Sequence, residues 1–189
     1  MEDPSFEDFL SRRLVIRRFA SGDAEALAAY RSDAEVACYQ SWECPYSLSE
    51  ARLFIASLQD VAPGTPGSWF QFAVSLQSSG TLIGDVALRT RKADSRQAEL
   101  GFTFATSHQR QGLATEAVGA VVRYAFEQLA LHRVFSQTDV RNIRAQRLLE
   151  RLAFRREGEL RESTWFKGAW ATDFVYAQLE SEWRPQPAV

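Results

Sequence analysis

The sequence predicts a mixed α/β fold, with a central, mostly antiparallel sheet of about seven strands and helices on both faces. Three observations lead there. Segments 69–77, 81–90 and 98–104 alternate large apolar residues with smaller or polar ones, and short polar turns join them. From Leu113 to Leu129 the period becomes helical, with Ala114, Ala117, Val118, Val121, Val122, Ala125 and Leu129 on one face. A strand, a second amphipathic helix and two more strands follow, an order that suits helices packed on a sheet.

The elements can be justified in order. RRLVIRRF (12–19) is apolar at its centre and predicts the first strand. SGDAEALAAYRSD predicts a helix capped by Ser21 or Asp23, with Ala24, Leu27, Ala28 and Arg31 at helical spacing. A further helix is expected from Ser47 to Gln59, after Pro45. Two prolines and two glycines in 61–68 make a loop. Strands 69–77 and 81–90 form a hairpin about the turn Ser78-Ser79-Gly80. In 98–104, Leu100, Phe102 and Phe104 face one side, and Glu99, Gly101 and Thr103 the other. After helix 113–129 come a strand (133–140) and a helix capped by Asn142, whose inner face is Ala145, Leu148, Leu149 and Leu152. FRREGELRES and WATDFVYAQLES predict the closing strands.

Composition narrows the class. A chain of 189 residues, 46% hydrophobic, holds one domain with a full core. A formal net charge of -2 disfavours nucleic acid and acidic lipid as partners. Cys38 and Cys44 make no disulfide framework and are expected as free thiols. The acidic start MEDPSFEDFLSRR lacks the apolar segment of a signal peptide, and no apolar run approaches the roughly 18 residues of a membrane span. The expected location is therefore the cytoplasm.

The chemistry centres on SHQRQGLATEA, residues 107–117. A loop running into a helix N-terminus offers unpaired backbone N–H groups and the positive end of the helix dipole, which favour an anion. Gly112 lets a ligand approach the backbone, Ala114 keeps the next turn small, and Arg110, Gln109 and Gln111 can add donors. The loop suits a diphosphate. Neither G-x-x-x-x-G-K-[ST] nor G-x-G-x-x-G occurs, which excludes two other phosphate loops.

AELGFTFATSHQRQGLATEAV resembles the core of the GNAT acetyltransferases, with the Q/R-x-x-G-x-G/A signature carried by Gln109, Gly112 and Ala114. NIRAQRLLERLAF (142–154) resembles that family's next helix, and the subgroup it looks like includes ribosomal-protein N-terminal acetyltransferases. The resemblance covers 12–180, leaving 1–11 and 181–189 as tails. It implies acetyl-CoA as acetyl donor, lying where strands 98–104 and 133–140 splay apart. Backbone groups of Phe102, Thr103 and Phe104 would pair with the pantetheine arm. The loop Gln109, Arg110, Gln111, Gly112, Leu113, Ala114 and Thr115 would hold the diphosphate, with Asn142 and Arg147 also near the cofactor. The family's serine and tyrosine, candidates for protonating the leaving thiolate, are Ala145 and Leu149 here, so that role is unassigned.

Direct attack of an amine on a thioester needs a neutral amine, a positioned carbonyl and donors for the oxyanion, but no nucleophilic residue. Glu99 is the candidate base, acting through water; the plain alternative is a surface charge or salt bridge. His108 adjoins the phosphate loop and His132 precedes a strand, so neither is well placed. Cys38 and Cys44 have no histidine partner nearby, and no Cys/His cluster suggests a metal. Arg144, Arg147 and Arg151 share a helix face, for solvent or for the CoA 3′-phosphate. Tyr39 and Trp42, in an aromatic stretch between the first helices, are candidates for the acceptor pocket, or for core packing. The expected function is transfer of acetyl from acetyl-CoA to a primary amine, a protein N-terminus or a small molecule. The rival is a non-catalytic acyl-CoA-binding module. A homodimer is expected from the resemblance.

Overall fold

The computed structural model describes residues 6–183. Eight strands form one sheet: β1 (Phe9–Leu10), β2 (Leu14–Arg17), β3 (Trp69–Leu76), β4 (Leu82–Thr90), β5 (Gln97–Phe104), β6 (Arg133–Asp139), β7 (Arg155–Phe166) and β8 (Ala169–Leu179). Their order across the sheet is β1-β2-β3-β4-β5-β6-β8-β7. Every neighbouring pair is antiparallel except β5 and β6. The helices are α1 (Ala24–Arg31), α2 (Ala34–Ala37), α3 (Leu48–Ser57), α4 (Leu113–Glu127) and α5 (Ile143–Arg151).

Each face of the sheet has its own apolar cluster. On one, α4 and α5 lay Leu113, Ala117, Val121, Leu148 and Leu149 against Phe72, Val86, Leu100 and Val134. On the other, Leu27 and Tyr30 of α1 and Ala51 and Ile55 of α3 pack with Ala73 and Leu82. Beneath α1 the Tyr30 hydroxyl donates to the buried Asp85 carboxylate at 2.5 Å, fastening that helix to β4. Burial pushes both groups up from their ordinary values, and the negative charge of Asp85 raises the phenol further.

The periodic elements form as expected. Ser47 caps α3 in a capping box, its hydroxyl accepting from the Glu50 N–H at 3.2 Å while Glu50 accepts from the Ser47 N–H at 2.7 Å. Asn142 caps α5 by accepting from the Ala145 N–H at 3.2 Å. Two short pieces carry no periodic signal. Phe9–Leu10, in the stretch expected as a tail, pair with β2, and Phe9 stacks on Tyr124. The four-residue α2 is set by Asp33, whose side chain accepts from the Glu35 N–H. The helix expected from Ser21 opens as a 3₁₀ turn, and Asp23 turns its carboxylate to Arg17 and to the Ala20 N–H instead of capping α1.

Candidate active site

β5 and β6 are Cα partners only at Gln97–Arg133, Ala98–Val134 and Glu99–Phe135. Beyond that point β5 stays with β4 out to Phe104, and β6 stays with β8 out to Asp139, so the two strands part. Inside the splay, the carbonyl oxygens of Phe102 and Phe104 accept from the amides of Gln40 and Gln109, at 3.4 and 2.9 Å. Strand alternation therefore turns the N–H groups of Phe102 and Phe104 into the gap. Thr103, between them, directs its backbone groups to β4, so two of the three residues expected to meet a pantetheine arm have a free backbone edge.

The loop before α4 forms an anion-binding concavity. None of the backbone N–H groups from Arg110 to Thr115 has an acceptor among the described residues; the first bonded one is Glu116, to the Gly112 carbonyl. Arg110 and Gly112 are left-handed, at φ 61° and 77°, which curls successive N–H groups toward one point. A cleft of ≈ 540 Å³ runs from here into the splay, lined by Arg110, Arg144, Arg147 and Arg151 with Glu35 as its one carboxylate. Arg147 has no hydrogen-bond or ion-pair partner among the described residues. This end fits a diphosphate and a further phosphate.

The side chains of the two loop glutamines also make contacts within the protein. Gln109 braces Phe104 and accepts from Arg144 at 3.2 Å, and the Gln111 amide donates to the Ser107 carbonyl at 3.1 Å. Leu113 is buried in the core, Ala114 lines the cleft, and the Thr115 hydroxyl lies 3.5 Å from Arg151. Asn142, beyond its capping role, lines the cleft along its whole length.

The other end of the splay has the opposite charge. Here a cavity of ≈ 280 Å³ is lined by Gly101, Ser136, Gln137, Thr138, Asp139, Thr164, Phe166 and Asp173, among others, and contains no arginine or lysine. Arg141 pairs with Asp139 at 2.5 Å, and its hydrogen bonds hold that carboxyl below the usual range. The Asp173 carboxylate accepts only from the Thr164 hydroxyl, at 3.2 Å, and has no ion pair among the described residues. Tyr39 lines both ends, its hydroxyl donating to the Arg141 carbonyl at 3.3 Å. Trp42 does not line the cleft. Its ring stacks on the buried Arg31 guanidinium at 4.2 Å, which Phe54 covers at 4.1 Å, and its indole donates to the Arg31 carbonyl. The core-packing alternative for Trp42 thus describes its place.

Glu99 receives a hydrogen bond from the Arg89 guanidinium and is not itself on the cleft wall. It shares a face of β5 with Gly101, which is, about 7 Å further along the strand. Ala145 lines the cleft without a donor, and Leu149 is buried in the core. Ser136 and Thr138 line it with hydroxyls that the sequence does not single out; their alternation with Val134 was the available signal.

The comparisons agree with this geometry. Residues 13–155 match the acetyltransferase (GNAT) domain model. The chain is 28% identical to the p20 N-acetyltransferase of Bacillus licheniformis over 94% of its length and 98% of that protein. It is 28% identical to the ribosomal protein uS5 alanine N-acetyltransferase of Escherichia coli, over 92% of this chain and 91% of that one. A solved spermidine N-acetyltransferase of Vibrio cholerae, in complex with CoA and spermine, superposes with a TM-score of 0.75 at 27% identity, covering 90% of this chain and 97% of that one. Acetyl-CoA supplies an activated thioester; the curled loop, the four arginines and the free edge of β5 are the groups that fit it. A splayed sheet, an arginine-lined end of the cleft and these likenesses converge, and the chain belongs to the GNAT acetyltransferase family, as an acetyl-CoA-dependent N-acetyltransferase.

Proposed function

We propose that the acceptor is a cationic primary amine, which enters the acidic end of the cleft and is held at Asp173 before it attacks the thioester. The observation that carries this is the polarity of the cleft: four arginines at the donor end, and at the acceptor end two aspartates of which Arg141 neutralises one. An ammonium group is drawn to the remaining carboxylate at Asp173, and must then lose a proton to become a nucleophile. Glu99, on the same face of the sheet, takes that proton through water. Phe102 and Phe104 orient the donor arm on β5, Arg110 to Thr115 hold the diphosphate, and Asn142, Arg147 and Tyr39 line the path.

Both a protein N-terminus and a small-molecule amine meet this charge requirement, and the relatives acting on a ribosomal protein and on spermidine support either. Thiol release from acetyl-CoA, measured against N-terminal peptides, polyamines, amino acids and uncharged low-basicity amines, tests the reading. Cationic acceptors should give the highest kcat/KM. Equal rates with neutral amines of similar size would overturn it. The remaining parts of the proposal are a single domain over 12–180, a cytoplasmic location and a homodimer. Among the described residues no helix is long and apolar enough to cross a membrane. Light scattering at tens of micromolar tests the dimer, and a monomer mass would remove it.

A further inference from the structure

Attack on a thioester makes two demands at one carbonyl carbon: the amine must reach a face of the carbonyl, and the sulfur, in the carbonyl plane, must be able to carry charge as it leaves. The splay offers different groups for the two. Asp139 and Asp173 are cross-strand partners on one face of the sheet, and strand alternation puts Glu99 and Gly101 on that same face. Ser136 and Thr138 alternate with them and project with Val134 toward α4 and α5. The diphosphate loop opens α4, so the donor arm enters the gap from that second side.

Ser136 is 3% exposed and Thr138 8%; both line the cleft, and neither hydroxyl has a hydrogen-bond partner among the described residues. Neither oxygen is sealed off from solvent, so each O–H is open to the cleft and able to donate to a ligand there. The other hydroxyls of this cavity are placed differently: Tyr39 donates to a carbonyl and Thr164 to Asp173. Thr103, further out, faces the opposite side of the sheet with Asp85, its neighbour across β4. Ala145 brings no donor to the α5 side. Two unpaired O–H groups thus face the cleft on the side from which the donor arm enters.

We propose that the hydroxyls of Ser136 and Thr138 hydrogen-bond to the sulfur of CoA as it leaves. The assignment rests on the acetyl transfer to an amine described above. As the C–N bond forms, the C–S bond breaks and its electron pair goes to sulfur. The two O–H groups donate to the developing thiolate without giving up their protons. The amine releases one proton to solvent on the Glu99 side, and the thiolate takes one from solvent as CoA leaves, so the overall step is balanced. Ser136 is the first residue of β6 beyond the last β5 pair and stands at the root of the splay, with Thr138 two residues further out.

The test uses Ser136→Ala, Thr138→Val and the double variant, with two readouts. In turnover, a preorganised donor to a developing oxyanion contributes roughly 10²–10³; sulfur accepts hydrogen bonds less strongly, so about tenfold in kcat is expected per hydroxyl. The second readout needs no acceptor. The ultraviolet absorbance of the thiolate, followed against pH in the CoA complex, reports ionisation of bound CoA. Bound to wild type, the thiol should ionise at a lower pH than in free CoA measured alongside, and the double variant should remove that downward shift. Thr138→Ser, which keeps the hydroxyl, should behave as wild type in both. A double variant with kcat within about threefold of wild type and an unchanged thiol titration would overturn the assignment. If instead wild type bound CoA with a lowered thiol titration but released no thiol with any amine, the fault would lie in the acceptor reading, and the hydroxyl assignment would stand.

Discussion

Asp139 and Asp173 are direct register partners across β6 and β8, and both line the acidic end of the cleft. Like charges at such positions oppose sheet formation by roughly 0.2–1 kcal/mol, so the arrangement is not a stabilising one. Arg141 relieves one member of the pair only. The sheet thereby retains one uncompensated carboxylate, Asp173, at the end of the cleft we propose for the amine.

Asp173→Asn keeps the shape and the Thr164 contact but removes the charge. KM for a cationic amine should rise about tenfold with kcat nearly unchanged, the signature of lost binding that is uniform through the reaction. The difference from wild type should shrink as salt is added, because the cleft is open to solvent. A KM unchanged at low salt would take Asp173 out of acceptor binding.

Gly112→Asp adds a negative charge to the loop that carries the free N–H groups, on a Cβ that would lie 3.5 Å from the Arg13 guanidinium. Acetyl-CoA should raise the melting temperature of wild type by mass action, and this variant should lose that shift. Its left-handed φ of 77° adds strain for any side chain, so Gly112→Asn, better tolerated there and uncharged, is the control. Asn should retain part of the shift. Equal shifts in wild type and Asp would move the phosphate site elsewhere.

Glu99→Gln tests the base. Positioned general bases contribute roughly 10²–10⁴, and a loss of about a hundredfold in turnover near neutral pH is expected, with acetyl-CoA affinity nearly unchanged. Raising the pH should recover part of the rate, since more amine is already neutral. If Glu99 serves only to hold Arg89, turnover will stay within about threefold of wild type at every pH.

Gly84→Ala tests how closely β4 and β5 approach. A Cβ there would lie 2.7 Å from the Phe104 ring, 2.9 Å from the Phe104 Cα and against the Thr103 carbonyl oxygen. Two of those contacts are backbone and cannot rotate away. Overpacking of this kind costs about 1–3 kcal/mol, which for a chain of this size lowers the melting temperature by roughly 2–12 °C. A midpoint unchanged from wild type would show that the two strands can part without cost.

Glu116 gives the acid limb of stability. Its carboxylate, in the first turn of α4, accepts from the Ser11 hydroxyl, the Arg13 N–H and the Arg13 guanidinium, each at 2.7 Å. Burial pushes its pKa up, but these hydrogen bonds outweigh burial and bring it below the ordinary 4.5. A depressed folded value means that the contribution is present above 4.5 and is lost as pH falls through the folded value. Glu116→Gln should cost about 1 kcal/mol at neutral pH, discounted because Arg13 is 44% exposed, and should flatten the acid side of the stability curve. Denaturant midpoints between neutral pH and acid will show whether the two curves converge.

What the sequence by itself determines here is local and periodic. Residues 113–129 read as a helix because seven apolar side chains recur on one face, and 98–104 read as a strand because they alternate; these are α4 and β5. The loop ahead of α4 reads as an anion site from Gly112 and the helix start, and the absence of a hydroxyl at Ala145 and Leu149 is plain from their identities. Tertiary structure decides whatever depends on which strand lies beside which. That β5 and β6 part after Glu99 and that Asp139 meets Asp173 are consequences of register between segments more distant in the chain, and that Glu99 lies against Arg89 follows from the register of β4 on β5. Trp42 could line a pocket or cover Arg31 with the same local sequence, and only the packing of α1 on α3 selects the second. Ser136 and Thr138 are ordinary alternating residues until the splay leaves their hydroxyls unpaired on the cleft wall, because a side chain's period sets its face of the sheet while its neighbours set what that face meets.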